Sequence, residues 1–594
     1  MHDPSLEYQK RLRDRQTRLQ RCFSRIRFVS YFRLGIGLVF FVTLWLVFGI
    51  RVATWSYLLL PIGAYVVLAL YHDRLYRERD RAKRAVTFYE RGLERIENRW
   101  QGKGNGETSD LDDTHLYAKD LDLFGRGSLF ELLCTARTRA GEETLARWLR
   151  EPAERKEILL RQEAVQELRG FIDLREDLSL LGPEVRSQVH PEFMSEWANA
   201  PSELRSTAMR VTAAVLVGLN LIFLVYSLLP TGDGSLLRYT LVFEAVLGIA
   251  YRRRVRAVLN SIDGPAKELA TLGLALQRME RETFSSERLR QLQTDFAKET
   301  KRPSREIAFL VTLVENLNYR RNEFFLILSF PLLWATQFTF AIEAWRRRRG
   351  PAIGGWLANF GEFEALCALA GYSYEHPEDS FPEVVEGAAI LECEEVRHPL
   401  LPRASCVPNS LKLGGELQLL LVSGSNMSGK STLLRTVGIN VVLAQAGGPV
   451  RASRMKLCVL AIGATMRVQD SLQAGVSRFY AEVQRLHDTM ELTAGLRPVL
   501  FLLDEILHGT NSHDRAIGAE AIVRGLVDRG AIGLVTTHDL ALARVADSLK
   551  PRALNVHFQD HLEDGRMTFD YILHSGVVEK SNALELMRAV GLKV

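Results

Sequence analysis

The N-terminal part of the chain alternates between long apolar runs and dense clusters of arginine. One run at about 31–50 is uncharged from residue 34 onward, a second covers 55–71, and only residues 51–54 separate them. Runs of this length predict helices that could cross a bilayer, and the short connection predicts an antiparallel hairpin. Because arginines crowd both outer flanks, we expect both ends to face the cytoplasm. A hairpin buried in a soluble core is the alternative.

A second pair of apolar runs lies near the middle of the chain. Residues 211–229 lack charges, whereas the returning run at 236–251 carries Arg238 and Glu244. An ionisable residue is costly inside a membrane helix unless it meets a partner. We therefore expect Glu244 either to face a neighbouring helix or to mark a tilted, interfacial helix. A further run at 324–342 is interpreted as a core helix or as a helix that lies on the membrane.

Composition changes this picture only a little. A chain of 594 residues is expected to hold roughly two to four domains. The formal net charge of +5 is modest, and its arginines cluster beside the apolar runs, where they can orient the hairpins and contact anionic lipid. These clusters are therefore poor evidence for nucleic-acid binding. The six cysteines have no C-x-x-C spacing, which predicts reduced thiols rather than disulfides or a zinc site.

The strongest chemical signal lies in the loop 424–432. An apolar stretch at 417–422, a predicted buried strand, precedes the loop, and a predicted helix follows it. Two glycines separated by four residues and followed by lysine and serine form the pattern of a phosphate-binding loop. Lys430 can reach the terminal phosphates and Ser431 would hold Mg²⁺, so we predict binding of ATP with Mg²⁺. The predicted nucleotide-binding residues of this loop are Gly424, Ser425, Asn426, Met427, Ser428, Gly429, Lys430, Ser431 and Thr432.

Two further apolar strands end in residues suited to act on a bound triphosphate. The stretch 499–503 leads into Asp504, which could join the Mg²⁺ shell, and Glu505, which could orient or deprotonate a water molecule. A second strand leads into His538, which would lie beside the γ-phosphate, although a lone histidine is often structural. The order of loop, acidic pair and histidine predicts an α/β P-loop ATPase of the ABC-like branch.

The residues around these motifs carry a family resemblance. The segments concerned are 397–400, 407–409, 424–432, 443–447 and 504–514, together with Asp470, Leu472, Gly475, Ser477, Phe479 and Glu482. They resemble the ATPase domain of the MutS family of DNA mismatch repair proteins, and residues 138–165 are more weakly similar to the start of its helical core. The resemblance implies a homodimer in which Ser477 lies on the γ-phosphate bound by the partner subunit. It also places Gln445 among the nucleotide-binding residues.

The sequence departs from the family pattern in three places. Arg478 stands where the family usually has threonine. The chain ends at Val594, soon after a Ser-led segment at 581–584, so we expect dimerisation to depend on the ATP interface, the core helices or the membrane rather than on a terminal helix-turn-helix. No specific element for reading mismatches is evident. Phe88 and Glu90 match the bare Phe-x-Glu spacing, but they lie in an arginine-rich helix and are interpreted as a coincidence.

The predicted architecture is an α/β P-loop ATPase domain preceded by an all-α core that carries transmembrane helical hairpins. The predicted regions are a basic N-terminal part with a hairpin at 1–100, helical core at 107–207, a second hairpin at 208–256, further core at 257–379 and the ATPase domain at 380–594. We expect a multi-pass protein of the inner (cytoplasmic) membrane. An odd number of spans would place the ATPase domain outside, where ATP is scarce, so residues 324–342 are not expected to span.

Three functions remain open at this point. The leading one is a membrane-anchored MutS-like ATPase that works as a dimer and associates with double-stranded DNA, as in mismatch repair. The second is a membrane NTPase switch that acts on a protein partner without DNA. The third is an ABC-type transporter, which is disfavoured because two short hairpins provide too few spans and the Leu-Ser-Gly-Gly signature is absent from the sequence.

Overall fold

The computed structural model shows a helical body followed by a C-terminal α/β domain. It describes residues 3–52, 54–104, 115–181, 191–202, 204, 207–229, 233–297, 302–321, 325, 329–425, 427–466, 478–507, 511–538, 540–563 and 566–577. The helices of these residues are α1 Pro4–Leu44, α2 Leu59–Ile96, α3 Leu129–Leu133, α4 Arg139–Arg150, α5 Arg155–Arg169, α6 Ile172–Leu180, α7 Pro191–Asn199, α8 Thr207–Ser227, α9 Ser235–Met279, α10 Glu287–Ala297, α11 Pro303–Asn318, α12 Trp334–Glu375, α13 Lys430–Ala446, α14 Arg478–Glu491, α15 Ser512–Asp528 and α16 Leu540–Ser548.

Helices α1 and α2 form the hairpin predicted at the N-terminus. The apolar residues near its tip are exposed, as shown by Leu34 at 75% and Leu60 at 80% of their full accessible area. The opposite, charged end packs on the body, where Tyr8 of α1 and Tyr89 of α2 are fully buried. The protein therefore does not cover the apolar part of this hairpin with its own described residues, which argues against a hairpin buried in a soluble core.

Helices α8 and α9 form the second hairpin, and α9 continues well beyond it. Glu244 is fully buried and accepts a hydrogen bond from the Asn220 amide of α8, so it faces a neighbouring helix. Because α9 runs without a break from Ser235 to Met279, the predicted border at 256/257 lies inside one helix. Among the described residues, the helices long and apolar enough to cross a membrane are Pro4–Gly49, Trp55–Ile96 and Ala208–Ser227. A span at 236–251 stays a prediction.

Helix α12 is the central element of the helical body. It packs against α4, α5, α7, α9 and α11. Ile342 and Trp345 near its start are buried in the main core, and Phe340 is buried in a smaller cluster with Leu204 and Val255. The described residues of the apolar run 324–342 therefore lie partly in a core helix, while 324 and 326–328 fall outside the described residues. The far end of α12 leads directly into the C-terminal domain, so this helix connects the hairpins to that domain.

The C-terminal domain contains a four-stranded and a six-stranded sheet within the described residues. The strands are β1 Glu383–Val385, β2 Ile390–Val396, β3 Asn409–Gly414, β4 Leu419–Ser423, β5 Arg454–Cys458, β6 Ala461–Thr465, β7 Val499–Asp504, β8 Ile532–Thr537, β9 Ala553–Glu563 and β10 Arg566–Ser575. The strand orders are β1-β5-β2-β3 and β10-β9-β4-β8-β7-β6. In the larger sheet every neighbouring pair is parallel except β9 and β10.

The topology of the larger sheet gathers the predicted motifs at one edge. Strands β4, β7 and β8 confirm the three predicted apolar strands, and nearly all their residues are buried. Ser423 pairs with Thr537 and Asp504 pairs with Thr536, so the carboxyl ends of these parallel strands lie side by side. Ligands of open α/β sheets bind outside the carboxyl ends of the strands. This edge is therefore where a functional site is expected.

Candidate nucleotide site

Two glycines with positive φ angles shape the backbone of the loop between β4 and α13. Gly424 and Gly429 have φ angles of 155° and 103°, which residues with a Cβ rarely adopt. A Cβ on Gly424 would lie 2.7 Å from the Ser428 hydroxyl oxygen. Met427 shares the left-handed region at φ 72°, and its side chain is 85% exposed. Asn426 lies outside the described residues.

Lys430 lies beneath this loop and reaches the acidic strand end. Its Nζ donates hydrogen bonds to the carbonyl oxygens of Gly424 and Ser425, both at 2.9 Å. The same Nζ lies 3.4 Å from Glu505 Oε1. Because the lysine side chain is only 5% exposed, its charge acts in a medium that screens less than bulk water. The ammonium group of Lys430 is thus held between the glycine loop and Glu505.

Thr536 of β8 positions both acidic residues at the end of β7. Its hydroxyl donates a hydrogen bond to Asp504 Oδ1 at 2.5 Å and accepts one from the Glu505 backbone N–H at 3.0 Å. Glu505 has a φ of 46°, an uncommon conformation that the neighbouring strand helps to hold. Thr536 was not predicted from the sequence, because its role arises only once β7 and β8 pair.

His538 approaches the same carboxylate from the end of β8. Its Nδ1 lies 3.5 Å from Glu505 Oε1, and the imidazole is 43% exposed. Glu505 Oε1 therefore lies within ion-pair distance of both Lys430 and His538. The structure brings these three predicted residues together, and Asp504, the last residue of β7, directly precedes Glu505.

A cavity of about 560 Å³ opens beside the loop. Ser431, Thr432, Asp504 and Glu505 belong to its wall, and the other lining residues are Val396, Leu401, Ser405, Cys406, Val407, Asn409, Met427, Gly429, Lys430, Leu433, Thr436, Phe558 and Tyr571. The wall thus combines a lysine, hydroxyls and carboxylates with two aromatic rings. That combination suits a ligand with a charged end and a flat apolar end.

Tyr571 is an aromatic residue held against the loop, and the sequence did not point to it. A Cβ on Gly429 would lie 3.2 Å from the tyrosine ring. Tyr571 occupies an irregular position of β10 at φ 55°, and Asn409 holds that position from both sides. The Asn409 amide donates to the Tyr571 carbonyl at 3.0 Å, and its oxygen accepts from Leu573 N–H at 2.7 Å.

Comparison with known proteins identifies the domain that carries this site. The sequence profile of MutS domain V matches residues 420–593, which include the loop, the acidic pair and His538. Through these residues the chain is similar to the MutS family. Its C-terminal part is thus a P-loop ATPase-type α/β domain, as the predicted fold class states, and it follows a helical region.

Several curated relatives resemble the chain over a limited length. The "DNA mismatch repair protein MutS 2" of Halobacterium salinarum is 33% identical over 232 residues, which are 38% of this chain and 26% of that protein. The MutS of Geobacillus thermodenitrificans is 31% identical over 39% of this chain and 26% of its own length. The "Endonuclease MutS2" of Thermus thermophilus is 35% identical over 33% and 25%. The matches thus span about a quarter of each relative.

One residue that the resemblance assigned to the nucleotide lies away from the cavity of this MutS-type domain. Gln445 is near the C-terminal end of the 17-residue α13, so it lies about 20 Å along the helix from Lys430. Its side-chain oxygen accepts a hydrogen bond from Leu460 N–H at 2.6 Å in the buried core. In this arrangement Gln445 supports the connection between β5 and β6, and its contact with a nucleotide stays a prediction.

The predicted signature segment of the MutS-type domain lies largely outside the described residues. Ser477 falls there, and helix α14 begins at the next residue, Arg478. On α14, Glu482 is 5% exposed and accepts a hydrogen bond from Leu507 N–H at 2.5 Å. Leu507 follows Glu505 after one residue. The helix that continues the signature segment is therefore bonded to the loop that continues the acidic strand.

Proposed function

We propose that this protein is a membrane-anchored, MutS-like ATPase that binds and hydrolyses ATP with Mg²⁺ as a homodimer and associates with double-stranded DNA. The observation that carries the proposal is the convergence of Lys430, Asp504 and Glu505 on one cavity beside the glycine loop. Each has a side chain that ATP hydrolysis requires: a cation for phosphate, a carboxylate for the metal shell and a carboxylate for water.

The phosphate end of ATP is assigned to the loop and Lys430. Backbone N–H groups at the start of α13 would donate to a phosphate bound there, and the helix dipole would add a partial positive charge. Ser431 and Asp504 both line the cavity and offer the oxygen ligands that Mg²⁺ prefers. Bound there, the metal would neutralise charge on the β- and γ-phosphates. Phe558 and Tyr571 supply an aromatic wall on which the base can stack.

Glu505 is assigned the role of general base. His538 is assigned a position beside Glu505, near the γ-phosphate. The carboxylate must accept a proton from water while it remains correctly oriented. The Thr536 hydroxyl restrains its backbone, and Lys430 and His538 flank its Oε1. Ser477 of the partner subunit is proposed to contact the same γ-phosphate across the dimer.

The membrane part of the proposal is supported by the exposed apolar surfaces of α1, α2 and α8. These helices are long and apolar enough to cross a bilayer, and the most apolar stretch of the first has no buried residue. In water such surfaces would be costly. The protein is expected to remain with membranes after an alkaline carbonate wash, and its release into the supernatant would contradict anchoring.

DNA is the proposed client because relatives carry names such as "DNA mismatch repair protein MutS". The test measures ATP turnover by the full chain in lipid nanodiscs with no DNA, homoduplex or mismatched duplex, across a series of salt concentrations. Duplex DNA should raise turnover, and the effect should fall steeply with salt because phosphate contacts release counterions. Turnover that is indifferent to all DNA would favour a protein client, while ATP-dependent solute uptake into vesicles would favour a transporter.

A further inference from the structure

A second cavity lies where the N-terminal hairpin meets the helical body. It has a volume of about 420 Å³, and its wall includes residues of α1, α2, α6 and the last turns of α12. The cationic residues of this wall are Lys83, Arg84, Arg91, Arg95, Arg137 and Arg175. None of them belongs to the nucleotide site described above. The concentration of positive charge in one recess requires an explanation.

The acidic residues of the wall are fewer and are already engaged. Glu375 accepts a hydrogen bond from Arg95 Nε at 2.7 Å, and Asp80 accepts one from Arg79, which lies outside the wall, at 2.6 Å. Glu364 accepts hydrogen bonds from the Arg137 backbone N–H at 2.8 Å and from a neighbouring threonine hydroxyl. Burial raises the pKa of Glu364 to about 7, so its negative charge is incomplete at neutral pH. The recess therefore keeps an excess of positive charge.

Arg175 has donor groups that the described protein does not satisfy. Its side chain is buried, with the residue 5% exposed, and it lies in the cavity wall. Nη2 donates to the Arg169 carbonyl at 3.2 Å, whereas Nε and Nη1 are buried without a hydrogen-bond partner. Nε of Arg84 is likewise buried without one. Unmade hydrogen bonds of a buried guanidinium are costly, and an anion with several oxygen acceptors removes that cost.

The remaining wall residues favour a ligand that has an apolar part in addition to its anionic group. Phe88, Leu178, Ala136, Cys134 and Cys367 provide an apolar surface beside the arginines. A cavity of this size lies within the range of small-molecule sites. We propose that it binds a small soluble phosphate-bearing molecule of about mononucleotide size, with the phosphate on Arg84 and Arg175 and a flat apolar part against Phe88.

A soluble ligand fits the position of the cavity better than a lipid headgroup does. Arg84 lies about 20 Å along α2 from Tyr71, the end of the predicted span, at ~1.5 Å per residue. A headgroup at the bilayer surface would therefore lie well short of the guanidinium. The recess, with a volume of about 420 Å³, is also too small for duplex DNA, which presents its phosphates on a wide surface.

The cavity also lies on the connection between the hairpin and the ATPase domain. Tyr8 of α1 and Glu375 of α12 both line it. Directly after α12, His376 Nδ1 lies 3.3 Å from Arg451 Nη2, and Asp379 accepts a hydrogen bond from Arg403 at 2.8 Å, both arginines belonging to the ATPase domain. A ligand here would bridge α2 and α6, next to the end of α12. Its occupancy is thus expected to alter ATP turnover.

The test is calorimetric titration of the full chain in detergent, in a Lys430→Ala background that suppresses binding at the ATP site. The probes are pyrophosphate, AMP and adenosine. Pyrophosphate and AMP should bind and adenosine should not. Arg84→Gln and Arg175→Gln should each weaken AMP binding by about tenfold or more, since each removes a charge-assisted hydrogen bond. Arg77→Gln is the matched control, because Arg77 is on the same helix with a side chain 79% exposed.

The outcomes separate clearly. Arg175→Lys, which keeps the charge, should recover part of the lost affinity. If Arg175→Gln does not fold, Arg84→Gln at the less buried position decides the matter. The proposal is overturned if neither pyrophosphate nor AMP binds, or if Arg84→Gln binds AMP as Arg77→Gln does. It is also overturned if the protein binds only phosphatidylglycerol vesicles in a flotation assay.

Discussion

Glu482 accepts a hydrogen bond from the backbone N–H of Leu507 at 2.5 Å, which ties the helix after the signature segment to the loop after the acidic pair. Both residues are buried. If the signature segment contacts the partner's nucleotide as proposed, a displacement of α14 would be felt close to Glu505. In the proposed dimer this contact would connect one nucleotide site to the other.

Replacing Glu482 by alanine should therefore slow hydrolysis without preventing ATP binding. The Leu507 N–H would be left unsatisfied, which costs about 1–3 kcal/mol locally. Steady-state turnover and ATP affinity measured together test this. Glu482→Gln, which keeps an acceptor oxygen, serves as the control and should stay near wild-type turnover. An alanine variant with full turnover would show that the contact has no part in catalysis.

Lys430→Ala should weaken ATP binding strongly, because the loop loses the cation that lies between its carbonyls and Glu505. Hydrogen bonds to charged groups contribute about 1.5–3 kcal/mol each, so a loss of at least tenfold in affinity is expected. Equilibrium binding of a fluorescent ATP analogue measures it. Unchanged affinity would mean that the triphosphate lies elsewhere.

Glu505→Gln should bind ATP but retain almost no hydrolysis, since the amide cannot accept the proton of water. The amide keeps the size of the side chain and removes its charge. Single-turnover chemistry and retention of labelled ATP on the protein measure the effect. Substantial turnover in this variant would exclude Glu505 as the base and direct attention to His538.

Thr536→Val should reduce turnover by about tenfold while leaving the fold intact, because the substitution keeps the shape and removes both hydrogen bonds that orient Asp504 and Glu505. Thr536→Ser retains the hydroxyl and is the matched control. The two variants are compared by turnover and by thermal unfolding. Equal turnover in both would mean that packing alone positions the acidic pair.

The raised pKa of Glu364 predicts that the stability of the helical body depends on pH. Its pKa rises from 4.5 to about 7, chiefly through burial, so the folded state holds a proton that the unfolded state releases. Stability should therefore fall as pH rises from about 4.5 to 7, by an amount on the order of 3 kcal/mol. Glu364→Gln should flatten this part of the profile. Thermal unfolding of both proteins between pH 5 and 8 is the measurement, and parallel profiles would contradict the assignment.

The elements with strong local patterns were predictable. The strands β4, β7 and β8 are continuous apolar runs that no solvent-facing position interrupts, and the glycine loop follows its strand directly. Lys430 directly follows the glycine loop, Glu505 directly follows β7 and His538 directly follows β8. The position of Gln445 was not predictable in this way, because a family resemblance gives the residue type at a position, whereas α13 carries that side chain into the core.

The amino-acid sequence by itself determined the hairpin, the parallel strands and the chemistry at their ends, because these depend on hydrophobic periodicity and on residues close together in the chain. Only the tertiary structure decided that Thr536 holds Asp504, that Glu482 binds Leu507 and that Arg84 and Arg175 line one recess. These contacts join residues far apart in sequence, and they exist only after strands pair and helices pack. A local pattern of polar and apolar residues does not determine such contacts, since the free energy of each contact depends on which elements become neighbours.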